Sequence, residues 1–155
     1  MSTKVKPIPE GYHSVTPYLI LSGASEAIAF YEKALGAEEV MRLADPGGKV
    51  HHAEISIGGS RIMLADEHPE IQALSPKTIG GSPVSIHLYD ENVDAAVARA
   101  VAAGAKLIRP AADQFYGDRI GGIEDPFGHR WFIATRKEDL TVDEIRRRAA
   151  AQAAN

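Results

Sequence analysis

The sequence predicts an α+β fold in which one βαβββ unit is used twice, the two curved sheets enclosing a cleft, with a further helix at the C-terminus. Three observations carry this. A strand-like stretch gives way to helical spacing and then to three short strand-like pieces, and the whole order recurs. The recurrence is nearly in register: Gly36-Ala37 returns as Gly104-Ala105, 68 positions on, and Gly59-Ser60-Arg61 as Gly128-His129-Arg130, 69 on. A linker, Asp66 to Ser82, separates the copies. One domain is expected over residues 12–139, with module one at about 12–66, module two at about 82–136, and a helix or tail at 140–155.

In the first copy, Ser14 to Leu21 alternates and is rich in strand formers. Ala24, Ala27, Ile28, Tyr31 and Leu35 follow helical spacing, and Gly36 suits the stop. Glu38 to Leu43, Val50 to Ile57 and Arg61 to Ala65 read as strands, with turns at Asp45-Pro46-Gly47-Gly48 and Gly58-Gly59. In the second copy Pro83 to Tyr89 is the opening strand. Asn92 caps a helix striped by Val93, Ala96, Val97, Ala100 and Val101, which ends at Gly104. Lys106 to Arg109, Arg119 to Glu124 and His129 to Thr135 complete it. Thr141 and Glu144 form a capping box for the last helix, with Leu140 and Ile145 as its staple; the remainder reads as a tail or as a helix packed on a partner subunit.

A helix covers only one face of each small sheet. The other face needs a cover, and the second module is expected to supply it, so a cavity is expected rather than a flat surface.

Composition removes several function classes. A net charge of −4 offers no basic field for nucleic acid; the run Arg146 to Arg148 reads as a solvated helix face. No run of 18 apolar residues occurs, so no membrane-spanning helix is expected. With no cysteine, thiolate metal sites and cysteine nucleophiles are absent. No apolar leader opens the chain, and a cytoplasmic protein is expected. No phosphate loop, dinucleotide fingerprint, nucleophile elbow or H-E-x-x-H motif is present.

The string Phe30-Tyr31-Glu32-Lys33-Ala34-Leu35-Gly36 resembles the FY-x-x-x-LG signature of the glyoxalase/bleomycin-resistance/dioxygenase (vicinal oxygen chelate) superfamily, and Asp125-Pro126-Phe127-Gly128 its DP-x-G turn. Asp113 to Arg119, with the preceding Ser82 to Tyr89, resembles more narrowly the PhnB-like branch. The superfamily includes metal-dependent isomerases, dioxygenases, thiol transferases and metal-free antibiotic binders, so membership alone does not choose a function. Its metalloenzymes hold a divalent ion with side chains from the first and last strand of each module. Carried over by the two motifs, those positions are Thr16, Met63, Ser85 and Phe132. A thioether, two hydroxyls and a phenyl ring do not suit such an ion. The reading is therefore no metal ligands and no cofactor, a divalent metal being disfavoured.

Strand alternation places Tyr18, Ile20, His52, Glu54, Ser56, Arg61, Met63 and Ala65 on the cleft face of module one. In module two it places Ser85, His87, Tyr89, Arg130, Phe132 and Ala134 there. The expected ligand-binding set is Tyr18, His52, Met63, Ser85, Tyr89, Phe115, Tyr116, Arg119 and Phe132, with His87 and Glu54 as the candidate catalytic pair. Phe115 and Tyr116 would wall the pocket. Arg119 would pair with an anionic ligand group or with Asp118, or the segment would be only a structural turn. For His52, Glu54 and His87 three readings stand: a hydrogen-bonded polar patch, a displaced metal site, or metal-free acid–base chemistry.

Three functions follow. The first is a small-molecule-binding protein without a metal. The second is an enzyme (isomerase, lyase or dioxygenase type) with a non-standard His/Glu site. The third is an interaction module with a vestigial cleft. A homodimer is expected from the resemblance.

Overall fold

Helix and strand propensities are laid out twice along the chain, and the structure follows them. A computed structural model describes residues 4–154. It contains two units, the first ending at Gly81 and the second beginning at Ser82.

In the first unit β1 (Tyr18–Leu21) leads into α1 (Ala24–Leu35), followed by β2 (Glu38–Ala44), β3 (Val50–Ile57) and β4 (Ser60–Asp66). The sheet order is β1-β4-β3-β2, with β1 parallel to β4 and the other pairs antiparallel. In the second unit β5 (Ser85–Tyr89), α2 (Val93–Ala102), β6 (Lys106–Asp113), β7 (Asp118–Glu124) and β8 (Arg130–Arg136) repeat the plan in the order β5-β8-β7-β6. The repeat holds at the level of the ladder. Tyr18 faces Met63, and 69 positions on His87 faces Phe132. The expected α+β architecture of paired βαβββ units with a C-terminal helix is thus observed.

Each helix is held by its apolar stripe. Ala24, Ala27, Ile28, Tyr31 and Ala34 are fully buried, against Val50, Ala53, Ile55 and Leu64 of the sheet. Gly36 ends α1 in the left-handed conformation at φ 69°, where a side chain would be strained. In the second unit Val93, Ala96, Val97 and Ala100 are buried, as are Ile123, Trp131 and Ile133 of the sheet. Asn92 caps α2 by accepting from the Ala95 N–H, as its position predicts.

Three expectations need correction: where the first strand begins, what Glu144 binds, and whether Arg148 is solvated. The first strand begins at Tyr18 rather than Ser14, so Thr16 lies before it; Pro17 has no N–H to give a ladder and sits at the strand's edge. The linker carries short elements of its own. It contains a single turn, Pro69–Ile71, and a short helix, Pro76–Ile79, whose cap Ser75 is fully buried. The C-terminal segment forms the expected helix, α3 (Val142–Ala153). Thr141 accepts from the Glu144 N–H as expected. Glu144 itself turns to Arg147 and Arg148 instead of completing the box. Arg148 is not a solvated cation: it donates to the Phe115 carbonyl at 3.1 Å and to Glu138 at 2.7 Å, fastening α3 to the turn after β6.

Candidate functional site

Alternation along β3 sets up the site. Ala53, Ile55 and Ile57 turn to the helix and are buried, while His52, Glu54 and Ser56 project from the opposite face. On β1, Leu19 and Leu21 are buried, and Tyr18 and Ile20 project with His52. The register then aligns Tyr18, Met63, Glu54 and Met41 as one row across the four strands.

Within this face three polar side chains form a chain. The Tyr18 hydroxyl lies 2.8 Å from His52 Nδ1, and His52 Nε2 lies 2.9 Å from Glu54 Oε2. A carboxylate can only accept, so Nε2 carries the hydrogen, and Nδ1 is left as acceptor for the phenol O–H. The imidazole and carboxylate are only 24% and 15% exposed, which shields the pair from water. Tyr18 is more open, and partial burial raises its pKa, keeping the phenol protonated.

Tyr18 also lines a cavity of about 190 Å³, with Ile20 and Ala65 on its floor and Ile71 and Ala73 on the linker side. Lys49, His51 and His68 add polar groups to its wall. The two carboxylates there are already engaged. Asp66 accepts from the N–H groups of Gly23, Ala24 and Val50 at 2.8 to 3.0 Å. The Thr78 hydroxyl and then Ser75 hold Glu67 below its ordinary pKa. Beside His51, the Lys49 backbone N–H holds the Asp45 carboxyl below its usual range, with the imidazole adding to this. Of the wall's imidazoles, His51 is paired through Nε2 with Asp45 at 3.2 Å and His68 through Nε2 with Glu70 at 3.2 Å.

The second unit differs. His87 packs its ring against Tyr89 at 5.1 Å, and Phe132 is its ladder partner. The Tyr89 hydroxyl donates to Asp118 Oδ2 at 2.7 Å, which raises the phenol's pKa. Ser85 opens β5 and is exposed. Phe115 and Tyr116 stack edge to face at 5.1 Å in the tight turn between β6 and β7, closed by Gln114 N–H to the Asp118 carbonyl. Arg119 corrects the expectation made for it. Its guanidinium grips both carboxylate oxygens of Asp94 on α2 at 3.0 Å and Asp113 at 3.2 Å, not Asp118. As the residue after Asp118 it points to the opposite sheet face, towards the helix. A shallow apolar hollow between α2 and β6 involves Val97, Val101, Leu107 and Pro110; its one charged residue, Asp94, is committed to Arg119.

Sequence reasoning placed Tyr18, His52 and Glu54 on one face but did not join Tyr18 to His52. It also named His87, which belongs to the second unit, where its ring packs against Tyr89. It missed Asp66, Lys49, His51, His68 and Asp94. No local pattern marks Asp66, because its donors lie 16 to 43 positions away.

The structure locates the four positions that the resemblance assigned to a metal ion. Thr16 lies outside the strand, Met63 and Phe132 offer a thioether and a phenyl ring, and Ser85 a lone hydroxyl.

The family model of the Glyoxalase/Bleomycin resistance protein/Dioxygenase superfamily matches residues 13–133. The uncharacterized protein Mb0911c of Mycobacterium bovis is 39% identical over 142 residues, covering 90% of this chain and 93% of its own. The crystal structure of the Arabidopsis thaliana At5g48480 product matches with a TM-score of 0.65 at 28% identity, over 79% of this chain and 98% of that one. A PhnB protein from Bacillus cereus shares the fold with a TM-score of 0.61 at 20% identity, over 79% and 99%. The two βαβββ units and these matches agree: the chain belongs to the glyoxalase/bleomycin resistance protein/dioxygenase superfamily.

Proposed function

We propose that the protein binds a small molecule at the open sheet face of its first unit, in the cavity bounded by Tyr18, without a divalent metal. The observation that carries this is the cavity itself. About 190 Å³ is enclosed between an apolar floor and a wall bearing two imidazoles, a lysine and a phenol. That is room for about six waters, or for one aromatic ring with a polar substituent. The ligand is a compact, planar, one-ring molecule carrying an acceptor or acidic group. The metal-free reading is supported by the side chains at the four family positions.

Titration with benzoate and phenol, followed by chemical-shift changes of the His51 and His68 imidazoles, tests the site. Saturable shifts are expected for the parent chain and none for Ala73→Trp, which fills the cavity. Equal binding by Ala73→Trp rejects the location. Metal analysis after purification without chelator checks the other half; one equivalent of tightly held transition metal rejects it.

The remaining parts of this reading are the PhnB-like branch, supported by the Asp113–Arg119 segment, a cytoplasmic setting in keeping with the absence of cysteine, and a homodimer. Sedimentation checks the last. An enzyme is the second reading, favoured by the Tyr18–His52–Glu54 chain; in it the acid–base role first given to His87 passes to His52.

A further inference from the structure

We propose that Tyr18, His52 and Glu54 act as a proton relay that ionises an acidic hydroxyl, phenolic or enolic, on the bound molecule. The inference rests on the ligand site described above and adds a chemistry to it.

The order of the three groups carries the argument. Glu54 fixes the hydrogen of His52 on Nε2, leaving Nδ1 basic and aimed at the Tyr18 hydroxyl 2.8 Å away. Tyr18 is the member of the chain that lines the cavity, and His52 stands behind it. A ligand hydroxyl that donates to Tyr18 Oη completes a path from the cavity to the imidazole. The ligand O–H bond breaks as its proton moves to Tyr18 Oη. The phenol's own proton moves to His52 Nδ1. No electrons change hands and nothing else is consumed. The products are a ligand oxyanion, held by the re-formed Tyr18 O–H, and an imidazolium held by the Glu54 carboxylate.

Two features favour this direction. Burial holds Tyr18 in its neutral form, so the resting chain has its proton where the relay requires it. The new imidazolium is formed 2.9 Å from a carboxylate in a largely shielded position, where a charge pair is stronger than in open water. The neighbours facing His52 from β2 and β4 on this sheet face are Leu43, Met41, Met63 and Ala65, none charged. Glu54 is therefore the dominant charge at the imidazole, with Arg61 farther along β4 and Lys49, His51 and His68 at the cavity wall. On the ligand side Lys49 can meet an oxyanion, while His51 is paired with Asp45, His68 with Glu70, and the lining carboxylates Asp66 and Glu67 are held by backbone and hydroxyl donors.

The probe is 4-nitrophenol, whose anion absorbs in the visible. The titration is run at a pH where the free probe is mostly neutral, with total binding measured in parallel by equilibrium dialysis. The parent chain is expected to bind one equivalent and raise the bound anion-to-phenol ratio at least about tenfold over free solution, one pKa unit. His52→Gln and Tyr18→Phe are expected to bind the neutral phenol without the visible band, and Glu54→Gln to show a weaker band. Far-UV circular dichroism and the denaturation midpoint verify that each variant is folded. Binding to the parent chain without the band overturns the relay and leaves the site standing. A full band in His52→Gln also overturns the relay. Absence of binding to the parent chain overturns the site and the relay together.

Discussion

Asp66 and Thr135 stand 69 residues apart at corresponding places on the last strand of each unit, and each closes the N-terminus of its own unit's helix. Asp66 Oδ1 accepts from Ala24 N–H at 2.8 Å, and Thr135 Oγ1 accepts from Val93 N–H at 2.8 Å. Either side chain answers donors that a helix N-terminus leaves without an intrahelical partner. The carboxylate does more: it also takes Gly23 N–H and, through Oδ2, Val50 N–H on β3. Thr135 adds one bond of its own, from its hydroxyl to the Asp90 carbonyl.

Unequal losses are therefore expected from the two truncations. Asp66→Ala strands three donors and should cost about 3 kcal/mol, whereas Thr135→Ala should cost about 1 to 2 kcal/mol. Denaturant unfolding of both variants measures the difference. Equal costs would show that the extra donors find water instead.

The DP-x-G turn owes its stability to Asp125, which is 3% exposed. Its Oδ1 accepts from the Phe127 and His129 N–H groups, and its Oδ2 from the indole N–H of Trp131 at 2.9 Å. Asp125→Ala is expected to lower unfolding free energy by about 3 kcal/mol. The chain's single tryptophan is fully buried beside this carboxylate, so its emission reports the site directly. An unchanged emission maximum and denaturation midpoint would contradict this account.

Acid sensitivity should trace in part to Asp94. Hydrogen bonding from Arg119, then its charge, holds this carboxyl below the ordinary carboxylate range. The folded chain thus binds fewer protons at Asp94 than the unfolded chain does. Stabilisation is complete above the unfolded value of about 4 and vanishes as pH falls through the lower folded value. A proton titration of Asp94 by NMR should show the depressed midpoint, and Arg119→Gln should return it upward. The pair is exposed to solvent, so salt should weaken the effect.

Close packing of helix on sheet depends on Gly121. A Cβ there would come within 2.9 Å of Val97 Cγ2 on α2 and 3.4 Å of Ala111 on the neighbouring strand. Gly121→Ala is expected to destabilise by about 1 to 3 kcal/mol through overpacking. Val97→Ala in the same chain should recover part of that loss, which thermal unfolding of the single and double variants would reveal.

The sequence by itself determined the repeated βαβββ order, the buried and projecting faces of β3, and the caps Asn92 and Thr141, because all of these depend on local periodicity and on groups within a few residues. Gly36 was legible for the same reason, and the turn at Asp125 through its resemblance to the DP-x-G motif. Only the tertiary structure decided that Tyr18 meets His52, 34 positions away, that Arg119 closes on Asp94, and that Asp66 gathers donors from two elements. Those contacts follow from strand register and helix placement, which bring distant residues within a hydrogen bond of each other and leave no local trace in the order of residues. The candidate site lies at such a crossing: its alternating faces can be read along the chain, but its hydrogen-bonded chain exists only once β1 is seated beside β4.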